Sequence, residues 1–129
     1  MPWDSSVPIP SEGGTGPGGL VVQIAGARWV IPLAGVIEVV RAARVIRVPG
    51  GVPAVRGMVN HRGRILTVAD AFRALELPGD AGTGGEVVIV EWQLRRFGIA
   101  VDAVVELNGE TRTSLAEIDL ERIATAIFA

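Results

Sequence analysis

The sequence predicts an all-β fold, either small barrels or a sandwich, on three observations. Short runs rich in Val and Ile recur along the chain, turn residues separate them at even intervals, and one segment alone reads clearly as a helix. With 129 residues and 49% hydrophobic composition, the chain can bury a real core as one domain or two small interlocked ones. Mean hydropathy is high at +0.42. Even so, no apolar run approaches the roughly 20 residues that a membrane-spanning helix needs. No basic flank leads into an apolar stretch at the N-terminus, so neither membrane insertion nor a secretory leader is expected.

Taken in order, residues 1–19 carry nine Gly or Pro and no apolar period, and are read as a flexible tail ahead of a domain at 20–129. Leu20–Gly26 and Arg28–Leu33 are β-branched runs that predict a hairpin turning at Gly26-Ala27. In Pro32–Ala42, Leu33, Val36, Ile37 and Val40 fit a helix, while the Val and Ile content fits a strand. Ala43–Pro49 reads as a strand with Val45 and Val48 inward, closed by Pro49-Gly50-Gly51. Arg56–Asn60 and Arg64–Val68 are two short strands around His61-Arg62-Gly63, after which Asp70 is placed to cap a helix. A Gly-rich loop at 78–85 precedes Glu86–Trp92, the clearest strand of the chain. Two more strands follow within Gln93–Leu107, with a turn at Arg95-Arg96 and a bend or bulge at Gly98. The segment from Asp119 to Ala129 fits helix and strand equally well.

Composition excludes several classes of function. There are no cysteines, which removes disulfide and thiolate chemistry and fits a cytoplasmic protein. All 12 basic residues are arginine, so Schiff-base enzymes and Walker-type phosphate loops lack their lysine. The net charge of −2 and the absence of a basic stripe in the sequence argue against nucleic acid. His61 is the single histidine, so neither a hydrolase triad nor a metal site has its components, and no cofactor or metal is expected. Glu86 and Glu91 lie five residues apart and so face opposite sides of one strand; Trp29 and Trp92 sit inside apolar runs as packing residues.

What remains is the repeated step Arg56-Gly57 and Arg62-Gly63. Glycine permits positive φ, so the pair reads either as two ordinary turns with solvated arginines or as a rigid loop presenting Arg62 to a partner.

The stretch Arg56-Gly57-Met58-Val59-Asn60-His61-Arg62-Gly63, followed by an apolar strand and Asp70, resembles the hallmark R-G-x-x-N-x-R-G loop of the CheW family of chemosensory adaptors. Trp29–Val40 is similar to the family's preceding segment, with Val36 and Glu38 on its marked positions. Phe97–Asp102 is similar to its later x-G-x-x-V-D strand, so the likeness runs in order over about residues 20–107. The resemblance implies two intertwined five-stranded β-barrels with one or two short helices, and no enzymatic activity. It implies two partners, the cytoplasmic tip of a chemoreceptor and the regulatory domain of the histidine kinase CheA. Val36, Glu38 and Arg62 would lie at a receptor-binding groove, with Gly57, Asn60 and Gly63 shaping the loop beside it. A Glu38–Arg62 ion pair would then set the direction of the arginine.

The sequence departs from the family pattern at Thr67, where Pro is usual, and at Ala71, where Leu is usual. Its match thins after Asn108, which leads to the expectation of a second barrel short of a strand at the C-terminus and self-association through that open edge. Two alternatives stand beside the adaptor: a diverged scaffold of a pilus or gliding pathway that binds one partner, and a small nucleic-acid-binding barrel.

Overall fold

The structure is a computed structural model and describes residues 6–8, 18–47, 51–79, 85–107 and 115–128. Ten strands form two sheets: β1 (Ser6–Pro8), β2 (Gly19–Ile24), β3 (Ala27–Pro32), β4 (Val36–Arg41), β5 (Val55–His61), β6 (Arg64–Ala69), β7 (Glu86–Trp92), β8 (Arg95–Val101), β9 (Ala103–Leu107) and β10 (Ala116–Glu117). Two helices accompany them, α1 (Ala71–Ala74) and α2 (Leu120–Phe128). The larger sheet runs β1-β4-β7-β8-β6-β5 and the smaller β10-β3-β2-β9. The all-β expectation holds.

The architecture follows from β7 and β8, whose apolar residues are continuous rather than alternating. Val88, Val90, Phe97, Ile99 and Val101 face a main core shared with the smaller sheet and both helices. Val87, Ile89 and Ala100 point the other way, into a second core with Val59, Leu66 and Val68. A strand covered on both faces has no position where water would favour a polar residue, which is why EVVIVEW reads so clearly. Around the second core the larger sheet curls until β4 and β5, near its two ends, meet. The segment after β4 helps close the seam, with Ile46 and Met58 exchanging backbone hydrogen bonds of 2.8 Å each way.

Three hairpins turn on residue pairs with positive φ at both positions: Ala25-Gly26 (52° and 84°), Arg62-Gly63 (54° and 84°) and Gln93-Leu94 (53° and 68°). Such two-residue turns match the right-handed twist of the flanking strands. The first therefore turns one residue before Gly26-Ala27. The last turns before Arg95-Arg96, which lie within β8. Gly98 is no bend: a Cβ there would stand 2.5 Å from Val87 Cγ1, so the glycine is a close approach inside a regular strand. Gly57 behaves likewise, since a Cβ would strike the Ile46 carbonyl. Of the two Arg-Gly steps, one is thus a turn and the other a packing constraint.

The ambiguous Pro32–Ala42 segment resolves into a single 3-10 turn (Leu33–Gly35) followed by β4. A bulge between Val36 and Glu38 breaks the strand's alternation. Val36 and Val39 both reach the main core while Ile37 and Val40 pack toward the second, a spacing that mimics a helix in the sequence. The strand expected at Ala43–Pro49 is reduced to the Ile46 bridge; residues 48–50 lie outside the described residues. Within the stretch read as a tail, Ser6–Pro8 pairs antiparallel with Glu38–Val40, and Gly19 already belongs to β2. Backbone pairing of three residues requires no apolar pattern, so nothing in the composition signals it. The rest of residues 1–17 and the loop at 80–84 lie outside the described residues.

Asp70 caps α1 as expected, its Oδ1 accepting from Arg73 N–H at 3.1 Å. The C-terminal segment is a helix, with Asp119 Oδ1 accepting from Arg122 N–H at 3.2 Å. Leu120, Ile123 and Ala124 enter the main core beside Ala71 and Ala74. Phe128 packs edge-on against Phe97 at 5.8 Å. Trp29 packs edge-on against Phe72 at 5.9 Å, and Trp92 borders the same core, both as packing residues.

Replacing Gly57 with Ala should lower unfolding free energy by about 3 kcal/mol or more, because a rigid carbonyl stands in the way. Gly98→Ala meets a movable Val87 methyl and should cost about 1–3 kcal/mol. Ile123→Ala should cost about 2–5 kcal/mol if α2 seals the main core. Urea unfolding midpoints measure all three, and Ile123→Ala unfolding like the wild type would show that α2 is not part of the core.

Candidate partner-binding site

The seam between β4 and β5 is closed by charge. Glu38, 4% exposed, reaches across it from β4 to the end of β5. Arg62 Nε donates to Glu38 Oε1 at 3.1 Å and its Nη2 donates to Oε2 at 3.4 Å. The arginine's planar fork thus engages both carboxylate oxygens. His61, 6% exposed, brings Nε2 to 2.8 Å from Oε1. The two atoms stand close without the geometry of a hydrogen bond. The ion pair implied by the family resemblance is therefore present, with a buried carboxylate and an exposed cation.

Burial decides what this pair does. A carboxylate removed from water must be compensated, and the Arg62 guanidinium does so. The arginine stays outside, with its side chain 62% exposed. Two of its five N–H donors are taken by Glu38, which anchors the guanidinium while leaving the others open to solvent. Its backbone is held too. Arg62 sits at positive φ, a conformation that costs a non-glycine residue about 1–2 kcal/mol. The turn is braced by Asn60 Oδ1, which accepts from Gly63 N–H at 2.9 Å.

Of the six site residues expected from the sequence, Glu38, Asn60, Arg62 and Gly63 come together at this turn. Val36 is buried in the main core two residues before Glu38, behind the bulge that redirects the strand. Gly57 is buried near the other end of β5, against Ile46. Both lie away from the turn, inside the packed body. The sequence reasoning missed Ile65, which is 64% exposed and pairs in register with Asn60. Alternation in β6 could have found it, since Leu66 and Val68 are inward and Ile65 is therefore outward. Thr67, on that outer side, places Oγ1 3.8 Å from Met58 Sδ. Arginine is among the side chains enriched where protein–protein binding energy concentrates, and Ile65 adds exposed apolar area on the same hairpin. Among the described residues, no group of three or more His, Asp or Glu is arranged to hold a metal ion, and no helix is long and apolar enough to cross a membrane.

The asymmetry of the pair gives a measurable contrast. Arg62→Ala should lower unfolding free energy by about 3 kcal/mol or more in urea unfolding, because it leaves the buried Glu38 carboxylate without its cation. Glu38→Gln keeps the shape, removes the buried charge and leaves only a solvated arginine without its partner, and should cost about 1 kcal/mol. A larger loss with Glu38→Gln than with Arg62→Ala would contradict this geometry.

Comparison with known proteins agrees with the fold. No curated protein matches the chain. Among solved structures, the scaffolding protein TtCheW from Thermoanaerobacter tengcongensis superposes with a TM-score of 0.59 at 26% identity. The alignment covers 71% of this chain and 64% of that protein, so the chain matches less than two thirds of that relative's length. The model of the CheW-like domain matches residues 18–123, which contain the second core, nearly all of the main core, the Glu38–Arg62 seam and the start of α2. The chain belongs to the CheW-like domain family.

Proposed function

We propose that the chain is a non-enzymatic chemosensory adaptor that couples the cytoplasmic tip of a chemoreceptor to the regulatory domain of the histidine kinase CheA. The observation that carries this reading is the anchored arginine. Arg62 is exposed, fixed by a buried carboxylate and flanked by Ile65 on a braced hairpin. Such a group recognises a partner's acceptor at low entropic cost, because its rotamers are already restricted. In this reading Arg62, Asn60 and Ile65 meet the receptor tip, Glu38 positions Arg62, Gly63 makes the turn, and Val36 and Gly57 hold the strands beneath. Membership in the CheW-like family and the likeness to a scaffolding protein support an adaptor over an enzyme. A scaffold that binds one partner is the second reading, distinguished by the same experiment.

The self-association expected from the sequence has a candidate surface in β9. That strand pairs with β2 on one side, and Val105 and Leu107 are 39% and 50% exposed. A partly apolar strand at the edge of a sheet is a template for pairing with a second chain.

Pull-down with purified CheA regulatory domain and receptor tip should recover both on the wild type. Arg62→Ala should lose the receptor tip by tenfold or more while retaining the kinase domain; retention of both would remove Arg62 from the site. Light scattering should show concentration-dependent dimers abolished by Val105→Lys, and a monomer at all concentrations would exclude the β9 edge.

A further inference from the structure

A groove of about 570 Å³ lies where three distant segments meet: the 3-10 turn before β4, the end of β7 and the junction of β10 with α2. One wall is written in the sequence. In Glu117-Ile118-Asp119-Leu120-Glu121 acidic and apolar residues alternate, and the fold buries Ile118 and Leu120 while the three acids stay exposed. That wall is fixed from two sides. Ile118 N–H donates to the Val30 carbonyl at 2.7 Å, and Leu120 Cδ1 fills the space beside Gly35, 2.6 Å from where a Cβ would stand. Half-buried Pro32 and Trp92 and exposed Ala34 give the groove its apolar surface.

Four carboxylates line the groove and, among the described residues, no cation does. Two of them are engaged. Glu91 Oε1 accepts from Arg96 Nε at 3.1 Å, which answers its charge. Asp119 Oδ1 caps α2 by accepting from Arg122 N–H at 3.2 Å. The N-terminal dipole of α2 is worth roughly half a positive charge, so it offsets Asp119 and Glu121 only in part. Glu117 and Glu121 have no hydrogen bond or ion pair of their own among the described residues. The nearby arginines do not supply one: Arg28 on β3 lies outside the groove, and Arg122 sends its Nη2 to the Leu75 carbonyl at 3.3 Å. Unanswered negative charge therefore stands over apolar surface.

We infer that this groove is a docking site for a basic segment of a partner protein. An arginine or lysine of that segment lays its aliphatic stem along Pro32, Ala34 and Trp92 and brings its charged head to Glu117 and Glu121. Long basic side chains combine an apolar stem with a cationic tip, and an indole attracts the same cation. Other occupants lack this match. A nucleic-acid backbone is repelled by the rim. An anion drawn to the N-terminus of α2 meets Asp119 and Glu121 first. A metal ion needs oxygens converging on one point, and no group of three or more His, Asp or Glu does so among the described residues. The acids are spread over β7, β10 and α2 instead, which suits successive side chains of one extended segment. None of these residues belongs to the Arg62 turn, so binding here does not require that turn.

The test is fluorescence anisotropy of the full chain with a fluorescein-labelled peptide, Gly-Arg-Ala-Arg-Ala-Arg-Gly. The wild type should bind it, and Glu117→Arg, at an exposed position, should weaken binding at least tenfold. Glu117→Gln, which keeps the shape and removes the charge, should weaken it at least threefold. The peptide with Gln in place of every Arg should bind at least tenfold more weakly. Glu106→Arg changes net charge as much as Glu117→Arg, but it lies on β9 at the opposite edge of the smaller sheet. It should alter affinity by less than twofold. Thermal melting of each variant shows that the fold is kept. No binding at millimolar peptide would overturn the proposal, as would a Gln peptide bound as tightly. An equal loss with Glu106→Arg would reduce the effect to the overall charge of the chain and overturn it too. Spermidine bound more tightly than the peptide would assign the groove to a small polyamine, with the same consequence.

Discussion

A carboxylate out of water is the constraint on which the rest of this structure turns. Glu38 is buried at the seam where the larger sheet closes on itself, and β4 and β5 share no hydrogen-bonded ladder there. Its charge has to be answered from the far side of the seam. Arg62, in the turn that follows β5, answers it, with His61 packed beside the same carboxylate. The pair is thus a register device as much as a source of stability: a slip of β5 by one residue would turn His61 outward and pull Arg62 away. The closed barrel and the orientation of the arginine are the same fact seen from inside and outside.

The closure in turn demands that backbones approach closely. Gly57 lets the returning segment cross β5 at Ile46, and Gly98 gives Val87 room beneath β8. Neither glycine is needed for its φ. What they supply is the absence of a Cβ at points where a small core has no spare volume. The same economy explains β7 and β8, which serve two cores with opposite faces. It also explains α2, whose Leu120 and Ile123 reach the main core beside the small residues Ala71 and Ala74. Where the family pattern has a larger residue at position 71, this chain sets an alanine in a core that the terminal helix also fills.

The proposed partner-binding turn lies where this tightly packed body meets solvent. The Arg62-Gly63 turn carries backbone strain that the hairpin and the Asn60 brace hold in place, and an exposed guanidinium with an exposed Ile65 is its product.

Much of this was legible in the residues themselves. The all-β class, the Glu86–Trp92 strand, the Asp70 cap and the hairpin around Arg62 follow from local rules of alternation, capping and turn chemistry, each acting over a few neighbours. The likeness of Arg56–Asp70 to the CheW loop pointed to Glu38 and Arg62 as partners. Other features had no local signal. Ser6–Pro8 became a strand through backbone pairing alone, Gln93-Leu94 took a turn without glycine because its strands required one, and Val36–Val40 imitated a helix because of a bulge. Ile65 was readable from the alternation of β6, but its place beside Arg62 was set by the register with Asn60. Local propensity is written along the chain, whereas register, closure and the meeting of distant charges exist only once the sheet has curled.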